Sequence, residues 1–545
     1  MNFEISTINF NIPRVSFKKS DYRAQNVVTS KLPDNITPVY GDDEIRTNPA
    51  LLSLFAMHDF HGQNIRMEKA YTAITQFDKG TLYNKNEAFD KNLKFDKFKV
   101  ASGDMFLGEN EHELKAVNEF LNIAGVIANA IGNHECDANV DTFADIIKDR
   151  KYRLLGANIH PQDGSKMKGL VSESFIVENN GNRYGFIGIA PPDMPKHMKR
   201  PDEVEKFNIS NIKDTFLDLQ DEVSKIKKQG VNKIILLSHA GLDNDKLIAQ
   251  NVSDIDIILG GHTHNFIPEI KKGENLLLSP KNEPVLIMQV GRDGEHIGIP
   301  NIQFDELGKI TKIQYNVINT DDFARSLVAR NSIEKVLGKP EVVGKLSYVE
   351  DMPKDIYAQE NPHCSFIADC MREELGTDIA IMNSANIRGK FHQGNIDTRD
   401  LKLISPFGNK MSVIRATEAE LVHSFNNMIK KTMNSEFHRP GIFQVSGMKY
   451  EYSKSQGKVT KMIIVDKEGT EHSIDVNKPR KDKFYTIAVD DYCATSNGAG
   501  LNLGYRFEES DIHFDFDKEK LVGDYLKRQK APAEIKSDGR IKEVL

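Results

Sequence analysis

Gly132-Asn133-His134-Glu135-Cys136-Asp137 follows an apolar run, residues 123–131, that reads as a buried element feeding a loop. Asp59-Phe60-His61, Gly103-Asp104, Ser238-His239 and Gly261-His262-Thr263-His264 carry matching chemistry. Residues 51–57, 98–101, 153–157, 234–237 and 255–259 are short and nearly all apolar, the pattern of strands buried on both faces. Helices lie between them. The clearest covers about 213–229, where Phe216, Leu219, Val223 and Ile226 recur at helical spacing ahead of Gly230. A hairpin turn at Asn182-Arg183 separates two further runs, 174–177 and 184–187. Strands alternating with helices, plus such a hairpin, predict an α/β layered fold. Its ligands would bind at the carboxyl ends of strands, where all five polar loops fall.

A chain of 545 residues supports at least two cores, since single cores rarely grow past ~250–300 residues. With 39% hydrophobic and 28% charged residues, the composition is globular. A net charge of −7 and the lack of a dense Lys/Arg run argue against a large nucleic-acid footprint. Cys136, Cys364, Cys370 and Cys493 are too scattered for a disulfide framework or a C-x-x-C zinc site. No apolar stretch reaches the ~18 residues that span a bilayer. Residues 1–13 lack the basic start and apolar centre of a secretory signal, which predicts a cytoplasmic location.

Residues 1–48 mix polar and charged types without a sustained period and are expected to be largely unstructured. A first domain is expected over 49–320, closing with strands through 286–290 and 310–313. A connecting helix follows over 321–340, stopped by Gly338 and Pro340. The second domain, 341–545, opens on a helix carrying Phe366, Ile367, Cys370, Met371 and Leu375 and ending at Gly376. A later helix starts at Thr417 with Glu420 three residues on, a capping box, and buries Leu421, Phe425 and Met428. Strands come next, from 447–450 to 485–489.

If extended geometry continues past residue 57, Asp59 and His61 point the same way and converge. His262 and His264 repeat that spacing, with Gly260 and Gly261 letting the backbone turn sharply. The Asp104 carboxylate can bridge two cations, Asn133 offers an amide oxygen, and His239 adds an imidazole. Mixed imidazole, carboxylate and amide donors suit Zn, Mn, Fe or Co better than a thiolate site or an all-oxygen Ca site. Any one of these fragments is common by chance. Five at predicted strand ends are not.

Order and residues together resemble the calcineurin-like metallophosphoesterases, whose pattern runs D-x-H, G-D, G-N-H-[ED], a lone His, then G-H-x-H. The resemblance implies a four-layer β-sandwich flanked by helices. It implies that Asp59, His61 and His264 hold one divalent metal and that Asn133, His239 and His262 hold the other. Asp104 bridges them. His134 then faces the leaving group, oriented by Asp137. A His held by a carboxylate keeps a fixed tautomer and a raised pKa, suited to proton donation. Glu135 is expected only to shape the turn, and Cys136 to be a small packing residue.

Asn383-Ser384-Ala385-Asn386-Ile387-Arg388, Gly394-Asn395-Ile396 and Ser405-Pro406-Phe407-Gly408-Asn409 resemble the C-terminal domain of the 5′-nucleotidase family, a smaller α+β unit. So do residues 444–450 and Gly539-Arg540-Ile541. In that family an N-x-x-x-I-R loop binds the nucleotide and two aromatic rings sandwich its base. Asn383, Arg388 and Phe407 match. Arg suits paired hydrogen bonds to phosphate, and Phe offers a stacking face. The chain departs from the pattern in three places. Ser384-Ala385-Asn386 replaces a glycine-rich loop, Leu501 follows Asn497-Gly498-Ala499-Gly500 where a second ring is usual, and residues 362–365 lack an Arg often found there.

The resemblance implies a dimetal hydrolase of nucleoside 5′-monophosphates, its second domain capturing substrate and rotating about the 321–340 helix. It also implies a small-molecule phosphate ester as partner, with no nucleic acid and no membrane span. Relatives of this type are often exported, against the cytoplasmic reading. The alternatives are the same chemistry on nucleotide-sugars, cyclic nucleotides or another organic phosphate, and a non-catalytic metal- or nucleotide-binding protein.

Overall fold

A computed structural model describes residues 4–5, 45–82, 89, 94–197, 203, 206–387, 389–404, 410–434, 440–495 and 515–544. The chain divides into two compact units, Met1–Lys339 and Pro340–Leu545.

The first unit is built on two sheets. In one, Ala50–Met57 pairs in parallel with Asp96–Ala101, which pairs with Ala128–Ala130 and then Arg153–Leu155; His296–Phe304 and Ile310–Asn319 extend the other edge antiparallel. In the other, Asn182–Ile189, Ile234–Ser238, Ile257–Leu259 and Pro284–Met288 run parallel, and Ser174–Asn179 closes one edge as the expected hairpin. The apolar run at 51–57 is explained by burial on both faces. Leu52, Leu54 and Ala56 join Phe186, Leu237 and Met288 between the sheets. Phe55 and Met57 face the opposite way, into a core shared with Met67, Phe120 and Phe143. On the far side of the second sheet, Ile187, Leu236 and Ile258 pack with Leu219, Val223 and Ile226 of the helix Ile212–Lys228. The order is helices, sheet, sheet, helices: four layers, as the family resemblance implies.

Several expectations need correcting. The run 123–131 is not one element: Ile123 and Ala124 are the last residues of the helix Glu111–Ala124, Gly125 caps it with φ 69°, and a three-residue strand, Ala128–Ala130, follows. The connecting helix covers only Leu327–Leu337; its Ala329 is buried, and its Ile333 belongs to the core of the first unit. The expectation of an unstructured 1–48 falls mostly outside the described residues, but its described parts are held. Glu4–Ile5 pairs in parallel with Lys312 and Ile313. Thr47 N–H donates to the Glu306 carbonyl at 2.7 Å, and Lys233 Nζ donates to Thr47 Oγ1 at 2.5 Å.

The second unit places Ile379–Asn383, Phe484–Asp490 and Lys410–Thr417 in one sheet with helices on both faces. Pro362–Leu375 packs Ile367 and Met371 with Met382 and Ala488; Glu418–Asn434 packs Leu421, Phe425 and Met428 with Ile381 and Ile487. The capping box forms in both directions. Glu420 N–H donates to Thr417 Oγ1 at 3.2 Å, and Thr417 N–H donates to Glu420 Oε2 at 2.7 Å.

Candidate metal centre

All five loops leave carboxyl ends of strands in the first unit and meet. Asp59 Oδ1 stands 3.3 Å from His264 Nε2, 3.7 Å from His239 Nε2 and 3.8 Å from His61 Nε2. Asp104 Oδ2 stands 3.0 Å from His239 Nε2 and 3.7 Å from His61 Nε2. Asn133 Oδ1 lies 2.9 Å from His262 Nδ1. The seven residues expected as metal ligands are therefore all gathered in one place.

The way they converge differs from the expectation. Extended geometry does not continue past Met57. Asp59 and His61 both have φ 49°, as has Asp104, while His262 has φ 75° and His264 φ 58°. A left-handed conformation at a non-glycine residue costs about 1–2 kcal/mol, and such strain gathers at functional sites where surrounding structure enforces it. Here neighbouring loops enforce it. Asp59 N–H donates to the Gly103 carbonyl (3.1 Å) and His61 N–H to the Asp104 carbonyl (2.9 Å). His262 N–H donates to Asp59 Oδ2 (3.1 Å) and His134 N–H to Asp104 Oδ1 (2.8 Å).

Gly260 and Gly261 also act otherwise than expected. Neither has a positive φ; they are small because the site presses on them. A Cβ would lie 2.3 Å from Asp245 Oδ2 at Gly260 and 2.8 Å from His239 Nδ1 at Gly261. Gly132 is tighter still, with its Cβ position 2.1 Å from Asp104 Oδ1. Overpacking of this kind costs about 1–3 kcal/mol, and at Gly132 the atoms pushed aside are Oδ1 and the backbone N of Asp104, the residue expected to bridge the metals. Gly132→Ala is expected to keep the fold but lower metal content and phosphatase activity together, read by elemental analysis, circular dichroism and phosphate release.

Glu135 does more than shape the turn. Fully buried, its carboxylate accepts from the backbone N–H groups of Asp104 (2.9 Å), Met105 (3.1 Å) and Gly132 (2.9 Å), tying two motif loops together. Burial, and then the charge of Asp104, push its pKa up to about 7. Cys136 is buried within the helix-side core.

The donor set fits divalent cations. His239 Nδ1 lies 2.6 Å from the Ser102 carbonyl, which can only accept, so Nδ1 carries hydrogen. His61 Nδ1 lies 2.9 Å from Asp293 Oδ1. This leaves His61 Nε2 and His239 Nε2 buried without a hydrogen-bond partner, both aimed at Asp59 and Asp104. The carboxylate–imidazole spacings run from 3.0 to 3.8 Å. Donors about 2.0–2.2 Å from a shared ion in tetrahedral array stand roughly 3.4 Å apart. Burial disfavours charge on His61 and His239, but the surrounding carboxylates overcome it and raise both to about 10. Burial likewise opposes ionisation of Asp59, yet His264 and His239 hold its carboxyl well below the usual range.

His134 stands beside this cluster, its ring 5.3 Å from that of His61. Its Nδ1 lies 2.9 Å from Asp137 Oδ2, which also accepts from Gly108 N–H at 2.7 Å. Burial lowers the His134 pKa, but Asp104 and Asp137 outweigh it and raise it overall. Sequence reasoning missed His58, Asp193, His197 and Asp293. His58 Nδ1 lies 2.6 Å from Asp59 Oδ2, a contact between chain neighbours that the string H-D-x-H could have suggested. Asp193 and His197 group with His262, and Asp293 sits 232 positions from His61 with no local pattern to mark it.

In the second unit Asn383 is buried. Its Nδ2 donates to the Pro440 carbonyl at 3.0 Å and its Oδ1 lies 3.5 Å from Cys493 Sγ, so the amide braces the loop from within. Arg388, Phe407 and Leu501 lie outside the described residues.

A four-layer sandwich with clustered Asp, His and Asn at its strand ends is the architecture of a metal-dependent phosphoester hydrolase, and the comparisons agree. Residues 58–266 match the calcineurin-like phosphoesterase family and residues 342–503 match the 5′-nucleotidase C-terminal domain. The chain belongs to the 5′-nucleotidase family and is a hydrolase, and its phosphoesterase domain implies divalent metal ions. It is 26% identical to the snake venom 5′-nucleotidase of Naja atra over 471 residues, covering 78% of this chain and 86% of that one. With the 5′-nucleotidase of Bos taurus it shares 26% identity over 428 residues, 71% of each chain. The crystal structure of a 5′-nucleotidase precursor from Thermus thermophilus has the same fold, with TM-score 0.62 and 21% identity over 91% of this chain and 99% of that one. Among the described residues, no helix is long and apolar enough to cross a membrane.

Proposed function

We propose that the protein releases phosphate from nucleoside 5′-monophosphates, using two divalent cations chosen from Zn, Mn, Fe and Co. The observation that carries this reading is the pair of buried nitrogens, His61 Nε2 and His239 Nε2, facing the carboxylates of Asp59 and Asp104 without a well-formed hydrogen bond, in a chain that also has a 5′-nucleotidase C-terminal domain. Asp59, His61 and His264 would hold one cation and Asn133, His239 and His262 the other, with Asp104 available to both. Two such ions supply an activated water and neutralise phosphate charge. His134, held through Nδ1 by Asp137, presents Nε2 to the leaving oxygen and donates the proton that the departing alkoxide needs. Arg388 and Phe407 are assigned to the nucleotide's charge and base.

The test is phosphate release by the purified protein with Mn or Zn, against nucleoside monophosphates, nucleotide-sugars, cyclic nucleotides and an aryl phosphate. Nucleoside monophosphates are expected to give the highest kcat/KM. The absence of a second ring at Leu501 favours one other reading, the same chemistry on a different ester, which a nucleotide-sugar or cyclic substrate ranking first would establish. Turnover that survives exhaustive chelation would remove both. Fractionation settles the location, cytosolic or exported like the venom relative.

A further inference from the structure

The loop that carries Asp59 and His61 is moulded against the turn 290–294, between the strands Pro284–Met288 and His296–Phe304. The fit runs along the loop. Val290 N–H donates to His58 Nε2 at 2.9 Å. The fully buried Phe60 ring presses on Gly294, where a Cβ would come within 2.7 Å of it. His61 Nδ1 lies 2.9 Å from Asp293 Oδ1.

Asp293 is itself placed with care. It is only 4% exposed and holds φ 56°, a strained conformation for a non-glycine residue. Its carbonyl accepts from Arg66 Nη1 at 2.8 Å, and Arg66, also buried, reaches Glu295 at 3.2 Å. Its second carboxylate oxygen faces Arg292 Nε at 3.4 Å. A buried carboxylate in a strained turn, its backbone carbonyl held by a buried arginine and one of its oxygens aimed at an imidazole nitrogen, has a local structural cost that contacts within its own turn do not explain. Metal-binding imidazoles need such a partner on the far nitrogen, because it fixes the tautomer and the ring plane.

We propose that Asp293 is a positioning residue for the half of the metal centre built on Asp59 and His61, holding hydrogen on His61 Nδ1 so that Nε2 faces the cation with its lone pair. The inference rests on the reading of His61 as a ligand. Asp293 touches neither cation nor substrate in this scheme. It acts through His61, and the 290–294 turn acts through the whole loop.

The test is a zinc-binding isotherm, measured by competition with a chromophoric chelator, on the full-length protein and on Asp293→Ala and Asp293→Asn. Loss of such a partner costs about 10–100-fold in metal affinity. In Asp293→Ala one class of zinc site is expected to weaken by that factor while the other keeps its affinity. Asp293→Asn keeps an acceptor oxygen but not the charge, so about 3–10-fold is expected, charge-assisted bonds being roughly twice as strong as neutral ones. Equal weakening of both classes, or zinc binding as tight as in the parent protein, overturns the proposal. If the alanine variant does not fold, the same two outcomes in Asp293→Asn decide it. His61→Ala separates the two levels of argument: if that variant binds zinc like the parent, the ligand assignment itself fails. If only His61→Ala loses zinc and the Asp293 variants do not, the ligand assignment stands and the positioning role falls.

Discussion

Asp104→Ala is expected to abolish metal-dependent phosphate release, lowering kcat by at least about 10³-fold, well beyond the ~10–100-fold that follows loss of a partner outside the ligand set. The reason is the number of groups that converge on this one carboxylate. Oδ2 faces both His239 and His61, at 3.0 and 3.7 Å, and Oδ1 accepts from His134 N–H at 2.8 Å. Removing it takes away the nearer of the two carboxylates that the buried His61 and His239 imidazoles share and releases the loop that carries His134. Zinc or manganese content should fall along with activity. Asp104→Asn separates charge from shape, since it keeps a hydrogen-bond acceptor for His134 N–H but removes the negative charge. Phosphate release and elemental analysis on the same preparations check the prediction. An Asp104→Ala protein that hydrolyses substrate at the parent rate would sink the mechanism.

The strands and helices were legible wherever burial alone set the pattern. Residues 51–57 read as a strand because both faces are covered, and the helix Pro362–Leu375 read correctly because its apolar stripe and Gly376 lie within one local stretch. The capping box at Thr417 and Glu420 is likewise local and formed as written. The gathering of the five loops could also be foreseen, since each sits at a strand end. What could not be read was the backbone between the strands and the ligands. Asp59, His61, Asp104, His262 and His264 all have positive φ, and bonds to other loops hold the first four, which nothing in D-x-H or H-x-H announces. Gly260 and Gly261 read as the means of a sharp turn and are points of close approach, a distinction set by Asp245 and His239 from other segments. Glu135 and Asp293 escaped for the same reason. Their partners lie across the fold, and only the folded chain brings them together.

His134→Ala is expected to lower kcat on a nucleoside monophosphate by about 10²–10⁴-fold, the range that positioned proton donors contribute, with the metal content unchanged. His134 groups with His61 and Asp104, but its Nδ1 belongs to Asp137 and the ligand set proposed above does not include it. A residue so placed can lose its ring without disturbing the cations. The leaving group provides the decisive comparison. A nucleoside alkoxide needs a proton as the P–O bond breaks, whereas a nitrophenolate departs readily without one. The loss should therefore be much smaller with p-nitrophenyl phosphate than with the nucleotide. Asp137→Asn should reproduce the pattern in weaker form, because Asp137 acts only by holding His134 Nδ1 and the Gly108 amide. Equal losses on both substrates would assign His134 to binding of the phosphoryl group instead of to the departing oxygen, and a fall in metal content would assign it to the ligand set.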